Sequence, residues 1–189
     1  MVTQESNNSR HEKPVPLPSD GDSLKEACGV VGVYARGEEA SRAVFFGLYA
    51  LQHRGQESAG IAASDGSNIR VHTEMGLVGQ AFQEYDLSGL PGHIAVGHTR
   101  YSTTGSSNIN NAQPIISNGS GVQIALGHNG NVINAVGLRR ELDAWGIEFR
   151  TTADSEIIAH MIANAPAESW SERAAYVMRK LRGAYSLVM

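Results

Sequence analysis

The residues that could do chemistry begin with Cys28, the only cysteine in the 189-residue chain, at the head of Cys28-Gly29-Val30-Val31-Gly32-Val33-Tyr34. A lone cysteine makes no internal disulfide, so the thiol is either packing material or a nucleophile. Residues 1–27 ahead of it are polar and carry Pro14, Pro16 and Pro18 in alternation, the composition of a solvated tail or of a leader that is removed. A cut after Ala27 would leave thiol and free α-amino group on one residue. That amine has an ordinary pKa of about 7.7–8.0, so near neutral pH it can take the thiol proton, an established way to activate a nucleophile. Three other positions complement it. Arg100, where a strand runs into Tyr101-Ser102-Thr103-Thr104, has the fork that grips a carboxylate bidentately, although an ordinary ion pair fits the same spacing. Asn129-Gly130 is a turn, or else a side-chain amide and a backbone N–H presented at one point, as an oxyanion hole requires. Asp154 is a carboxylate at a helix start, where the helix dipole also favours an acid. His53 and Arg54, taken alone, are cations suited to a helix C-terminus.

The elements that must position these residues can be read in outline. The run after Cys28 predicts a buried strand, and residues 38–52 predict a helix with Ala43, Phe46, Leu48, Ala50 and Leu51 on its apolar face. Ile61-Ala62-Ala63 and Ile69-Arg70-Val71-His72 predict a hairpin turning at Asp65-Gly66. A polar loop after Gly79 leads to a strand over residues 93–100, and residues 101–108 predict a mobile loop of the kind that closes over ligands. Residues 113–117 and 122–127 predict a second hairpin, ending at His128-Asn129-Gly130-Asn131. Asn134 reads as the cap of a helix ending near Gly146; two further helices, from about Thr151 and over residues 171–182, precede a last strand from Gly183 that reads as cut off at the chain end. Strands, helix, antiparallel strands, helices and strand make an α+β pattern, sheet packed on sheet with helices outside.

Composition removes several function classes. Lys and Arg total 15 against 19 Asp and Glu, a net charge of -4 that offers no basic surface for nucleic acid or anionic membrane. No apolar run approaches the roughly 20 residues of a membrane-spanning helix. One cysteine excludes a multi-thiolate metal or iron–sulfur site built within this chain and suits a reducing compartment. The leader lacks the apolar core of a secretory signal, which makes the cytoplasm the expected location.

Five pieces in order, Cys28-Gly29-Val30-Val31-Gly32, His53-Arg54-Gly55-Gln56, Gly97-His98-Thr99-Arg100-Tyr101, His128-Asn129-Gly130-Asn131 and Asp154-Ser155-Glu156, resemble the glutaminase domain of class II glutamine amidotransferases, which are N-terminal nucleophile hydrolases. Within that class, Gln52-His53-Arg54-Gly55-Gln56-Glu57-Ser58-Ala59-Gly60 and Ala112-Gln113-Pro114 are similar to the amidophosphoribosyltransferase branch. The sugar-phosphate amidotransferases, which usually have tryptophan at Tyr101 and histidine at Thr104, are the alternative, as is a non-catalytic remnant of the fold. The resemblance implies a four-layer αββα fold over residues 28–189, after a propeptide of residues 1–27. It implies Cys28 as nucleophile, Asn129 and Gly130 as oxyanion hole, and Arg100, Tyr101, Thr103 and Asp154 as the glutamine-binding set. Arg54 is left outside the catalytic set, with a structural or interdomain role. Ammonia would pass to phosphoribosyl pyrophosphate in the first step of purine synthesis, through a phosphoribosyltransferase domain these residues do not contain. Mg2+ and any 4Fe-4S cluster belong by the same resemblance to that missing part, leaving no cofactor in this chain, and the full-length enzyme is expected to be a homo-oligomer.

Overall fold

β-Branched residues between glycines make residues Gly29–Tyr34 a strand, β1, and the computed structural model, which describes residues 28–101 and 108–189, opens on it. There follow α1 (Ala40–Leu51), β2 (Ser58–Ser64), β3 (Ile69–Met75), α2 (Val78–Ala81), α3 (Glu84–Ser88), β4 (Ile94–Arg100), β5 (Ile115–Gly119), β6 (Val122–Val132), α4 (Ala135–Ala144), α5 (Asp154–Ala163), α6 (Trp170–Lys180) and β7 (Gly183–Val188). One sheet runs β1-β4-β2-β3 and the other β5-β6-β7, and every pairing is antiparallel.

Alternation along the strands builds the layers. Ala59, Ile61 and Ala63 of β2 and Ala95 of β4 pack beneath Ala40, Val44 and Leu48 of α1, with Val78, Ala81 and Leu87 closing the edge. The opposite face of the same strands sends Ala62 and Val96 against Ala125 of β6, with Ile116 and Val188 alongside, which is the seam between the sheets. Beyond the second sheet, Leu138 and Leu142 of α4, Ile157, Ile158, Met161 and Ile162 of α5 and Val177 of α6 cover Ile124 and Leu126. Each of those large aliphatic side chains contributes about 1.5–3 kcal/mol on burial. Helix, sheet, sheet, helix is the layer order, and the α+β expectation stands.

Four local expectations need correction. Where a polar loop was expected after Gly79, α2 and α3 form, because Gln83 and Asp86 make a reciprocal cap and Val78, Ala81 and Leu87 are buried. The third helix of the closing group is Trp170–Lys180, shifted towards its cap Ser169, whose hydroxyl accepts from Glu172 N. Asn134 stands at the N-cap position of α4 without capping it; its amide donates to Lys180 O and its Oδ1 accepts from Arg182 N, fastening the α6–β7 junction. Most important for the site, β6 does not stop at Gly127. It continues to Val132 because β7 pairs with it from Gly127↔Val188 to Val132↔Gly183. Among the described residues no helix is long and apolar enough to cross a membrane.

Candidate active site

Cys28 lies half-buried at the mouth of β1. Its thiol points at the carbonyl of Tyr101, 3.8 Å away, just past the end of the neighbouring strand β4. The next residue fixes that placement: Gly29 pairs with Thr99 and donates its N–H to Thr99 Oγ1 at 3.2 Å. A Cβ on Gly29 would sit 2.8 Å from that oxygen and 3.1 Å from Leu51 Cβ, so only glycine lets the strand lie this close to the end of α1. Arg54, on the helical turn Gln52–Arg54, donates from Nε to the Cys28 carbonyl at 3.4 Å. Gly55 then presses on the β4 backbone, where a Cβ would meet Thr99 C at 2.7 Å and Arg100 N at 2.8 Å. The motif from Gln52 to Gly60 therefore wraps the strand ends that carry Cys28 and Arg100.

Arg100 closes β4 opposite Ser58 of β2, so its side chain shares a face with Ser58 and with His98 two residues back. That is the face carrying Val96, turned towards the second sheet. The guanidinium is largely buried, with Nη1 3.7 Å from Glu57 Oε1. Tyr101 is at the surface. Thr103 lies outside the described residues, as does most of the loop expected over 101–108.

A second group is assembled on β6. Asn129 and Gly130 are strand residues paired with Ser186 and Tyr185, not the turn the dipeptide suggests. Gly130 has φ of 146°, and a Cβ there would fall 2.2 Å from Ala184 O, so glycine is required. Asp154, the first residue of α5, brackets the pair: Oδ2 accepts from Val132 N at 3.0 Å, while Oδ1 is 3.4 Å from His128 Nδ1. Burial pushes the Asp154 carboxyl up, but His128 and the backbone N–H donors outweigh it and hold the carboxyl below its ordinary range. His128 also has Ser155 Oγ 3.2 Å from Nδ1, and its own N–H donates to Gln113 Oε1 at 2.7 Å.

His98 joins the two groups. It is fully buried and donates from Nε2 to His128 O at 3.0 Å, tying β4 two residues before Arg100 to β6 one residue before Asn129. Burial pushes its pKa down to about 3, so the ring is neutral at any pH the protein works at. Gly127 makes room beside it for Val188 of β7, where a Cβ would lie 2.9 Å from Val188 Cγ2. The structure thus brings Cys28 together with Arg100 and Tyr101, and Asp154 together with the Asn129–Gly130 segment, and His98 links the two sets. Glu57 and His98 lie inside the quoted motifs but were not singled out from sequence, whereas Arg54, expected to be structural or interdomain, holds the Cys28 carbonyl. Among the described residues no cluster of three or more His, Cys, Asp or Glu side chains could hold a metal ion.

A family model described as glutamine amidotransferase domain matches residues 98–189. The amidophosphoribosyltransferase of Synechococcus elongatus is 53% identical over 170 residues, covering 89% of this chain and 34% of its own. That of Mycobacterium tuberculosis is 45% identical over 194 residues, covering 98% and 37%. The chain is similar to these amidophosphoribosyltransferases over the part of them that it spans, and its residues 98–189 match a glutamine amidotransferase domain. The fold agrees: the solved glutamine phosphoribosylpyrophosphate (PRPP) amidotransferase from B. subtilis, complexed with ADP and GMP, superposes with a TM-score of 0.75 at 37% identity, covering 84% of this chain and 34% of that one. The layered architecture is therefore the N-terminal nucleophile hydrolase fold. The chain spans about a third of the length of these amidophosphoribosyltransferases.

Proposed function

We propose that this chain hydrolyses glutamine with Cys28 as nucleophile, after removal of residues 1–27, and that within the longer protein the ammonia passes to phosphoribosyl pyrophosphate to give 5-phosphoribosylamine for purine synthesis. The observation that carries the reading is the convergence of the lone thiol, at 3.8 Å from Tyr101 O, on the strand end that bears Arg100. The α-amine of Cys28 takes the thiol proton, and the sulfur adds to the glutamine carboxamide carbon. Asn129 Nδ2 and Gly130 N–H stabilise the resulting oxyanion. The amine returns its proton to the leaving nitrogen, ammonia departs, and water cleaves the thioester to glutamate and free thiol. Arg100 binds the glutamine carboxylate and Asp154 its ammonium, with Tyr101 and Thr103 as further substrate-binding residues. Arg54 steadies the Cys28 carbonyl and so the attacking residue. These steps use no metal or cofactor from this chain, and a lone thiol nucleophile suits a reducing cytoplasm. Assembly of the longer protein into a homo-oligomer belongs to the same proposal.

Incubation with glutamine should release ammonia and glutamate in equal amounts, and Cys28→Ala should abolish both that release and loss of the leader. Undiminished release from Cys28→Ala would assign the chemistry to another group.

A further inference from the structure

Resting on the reading of Arg100 as the glutamine-carboxylate ligand, we propose that Glu57 is its positioning residue, holding the guanidinium in place without occupying its donors. Three observations carry this. Glu57 is nine-tenths buried, and among the described residues neither of its carboxylate oxygens has a hydrogen-bond partner, nor has Arg100 Nη1, which is also buried. The two side chains stand 3.7 Å apart, beyond hydrogen-bond length yet within strong Coulomb range where water is excluded. The backbones are locked together as well: Glu57 N donates to Arg100 O at 3.0 Å, and Glu57 O accepts from Gly76 N at 2.7 Å, so the main chain that carries the carboxylate is fixed beside Arg100.

A buried guanidinium without a counter-charge turns out towards water. With Glu57 beside it the cation stays in the site, while an N–H of its fork remains unpaired and ready for an incoming carboxylate. The missing hydrogen bond decides between positioning and competition. A carboxylate already bonded to the fork would have to be displaced by substrate, whereas one at 3.7 Å gives up no bond when the substrate arrives. The backbone-pinned glutamate also explains why the buried carboxylate sits at the start of β2, directly before the residue paired with Arg100.

The test is glutamine binding by calorimetry to the Cys28→Ala chain freed of residues 1–27, which avoids turnover and leaves the site in its processed form, with glutamine compared against its α-carboxamide. Glu57→Gln should weaken glutamine roughly tenfold while leaving the α-carboxamide unchanged, and Glu57→Asp, which keeps the charge, should recover most of the loss. Unchanged or tighter glutamine binding in Glu57→Gln, or an equal loss for both ligands, would overturn the positioning role. Arg100→Lys run in parallel separates the two levels. If it leaves glutamine binding intact, the reading of Arg100 fails; if it weakens glutamine while Glu57→Gln does not, only the role of Glu57 fails. Thermal melts of each variant confirm that the folded chain is being compared.

Discussion

At the scale of single residues, reactivity here depends on short backbone approaches as much as on the reactive groups. Cys28 is held by what glycine permits at Gly29 and Gly55, and by Arg54 on its carbonyl. Arg100 offers planar donors at the same strand end, and a lysine ammonium there would be a point charge unable to match both carboxylate oxygens. Arg100→Lys should therefore raise the KM for glutamine by roughly ten- to a hundredfold, the range expected from losing a charge-assisted hydrogen bond of about 1.5–3 kcal/mol. Steady-state hydrolysis kinetics check this, and an unchanged KM would remove Arg100 from the substrate site. Residue types and order were enough to single out Cys28, Arg100, Asn129, Gly130 and Asp154 as candidates. They were not enough to find Glu57 or His98, because a buried ion pair and a histidine crossing between sheets are contacts between segments distant in sequence.

At the scale of elements, local patterns located most strands and helices and misjudged those fixed by tertiary pairing. β1, α1 and both hairpins announce themselves through alternation, apolar faces and the Asp65-Gly66 turn, where Asp65 Oδ1 accepts from Ser67 N and Asn68 N. The extension of β6 through Asn129 and Gly130 could not be read locally, since an Asn-Gly pair ordinarily turns the chain and only pairing with β7 keeps it extended. The packing of α1 on β4 is similarly exacting. A Cβ on Gly97 would lie 2.4 Å from Val44 Cγ1 and 2.7 Å from Leu48 Cδ1, both in the core. Gly97→Val should destabilise the chain by about 1–3 kcal/mol through overpacking, and it should also lower glutamine turnover, because the displaced strand carries Arg100. Chemical denaturation measures the first effect, and wild-type stability in the variant would show that α1 packs more loosely than these distances imply.

At the scale of the molecule, the two sheets meet across a seam that is apolar along Ala62, Val96 and Ala125 and polar at the end holding the site, where His98 crosses to His128. That crossing ties stability to pH. His98 has a folded-state pKa near 3 against 6.5 for an exposed histidine, so below about pH 6.5 the unfolded chain binds a proton that the folded chain refuses. Stability is full above pH 6.5 and declines as pH falls towards 3, with a slope approaching about 1.4 kcal/mol per pH unit for this one proton. His160, also held below its ordinary value by burial, adds in the same direction. Urea titrations from pH 8 to 5 should show this decline, and His98→Gln should flatten it while lowering stability at pH 8; an equal slope in the variant would mean that His98 is protonated in the folded chain. The whole account rests on Cys28 becoming an N-terminal nucleophile, and the most direct measurement is the intact mass of the chain before and after exposure to a glutamine analogue bearing a chloroketone in place of its carboxamide. The expected result is a chain beginning at Cys28 that gains one adduct, blocked by excess glutamine and located on that residue by peptide mapping. A chain that retains residues 1–27 and stays unlabelled, or one processed at Cys28 but labelled elsewhere, would contradict it.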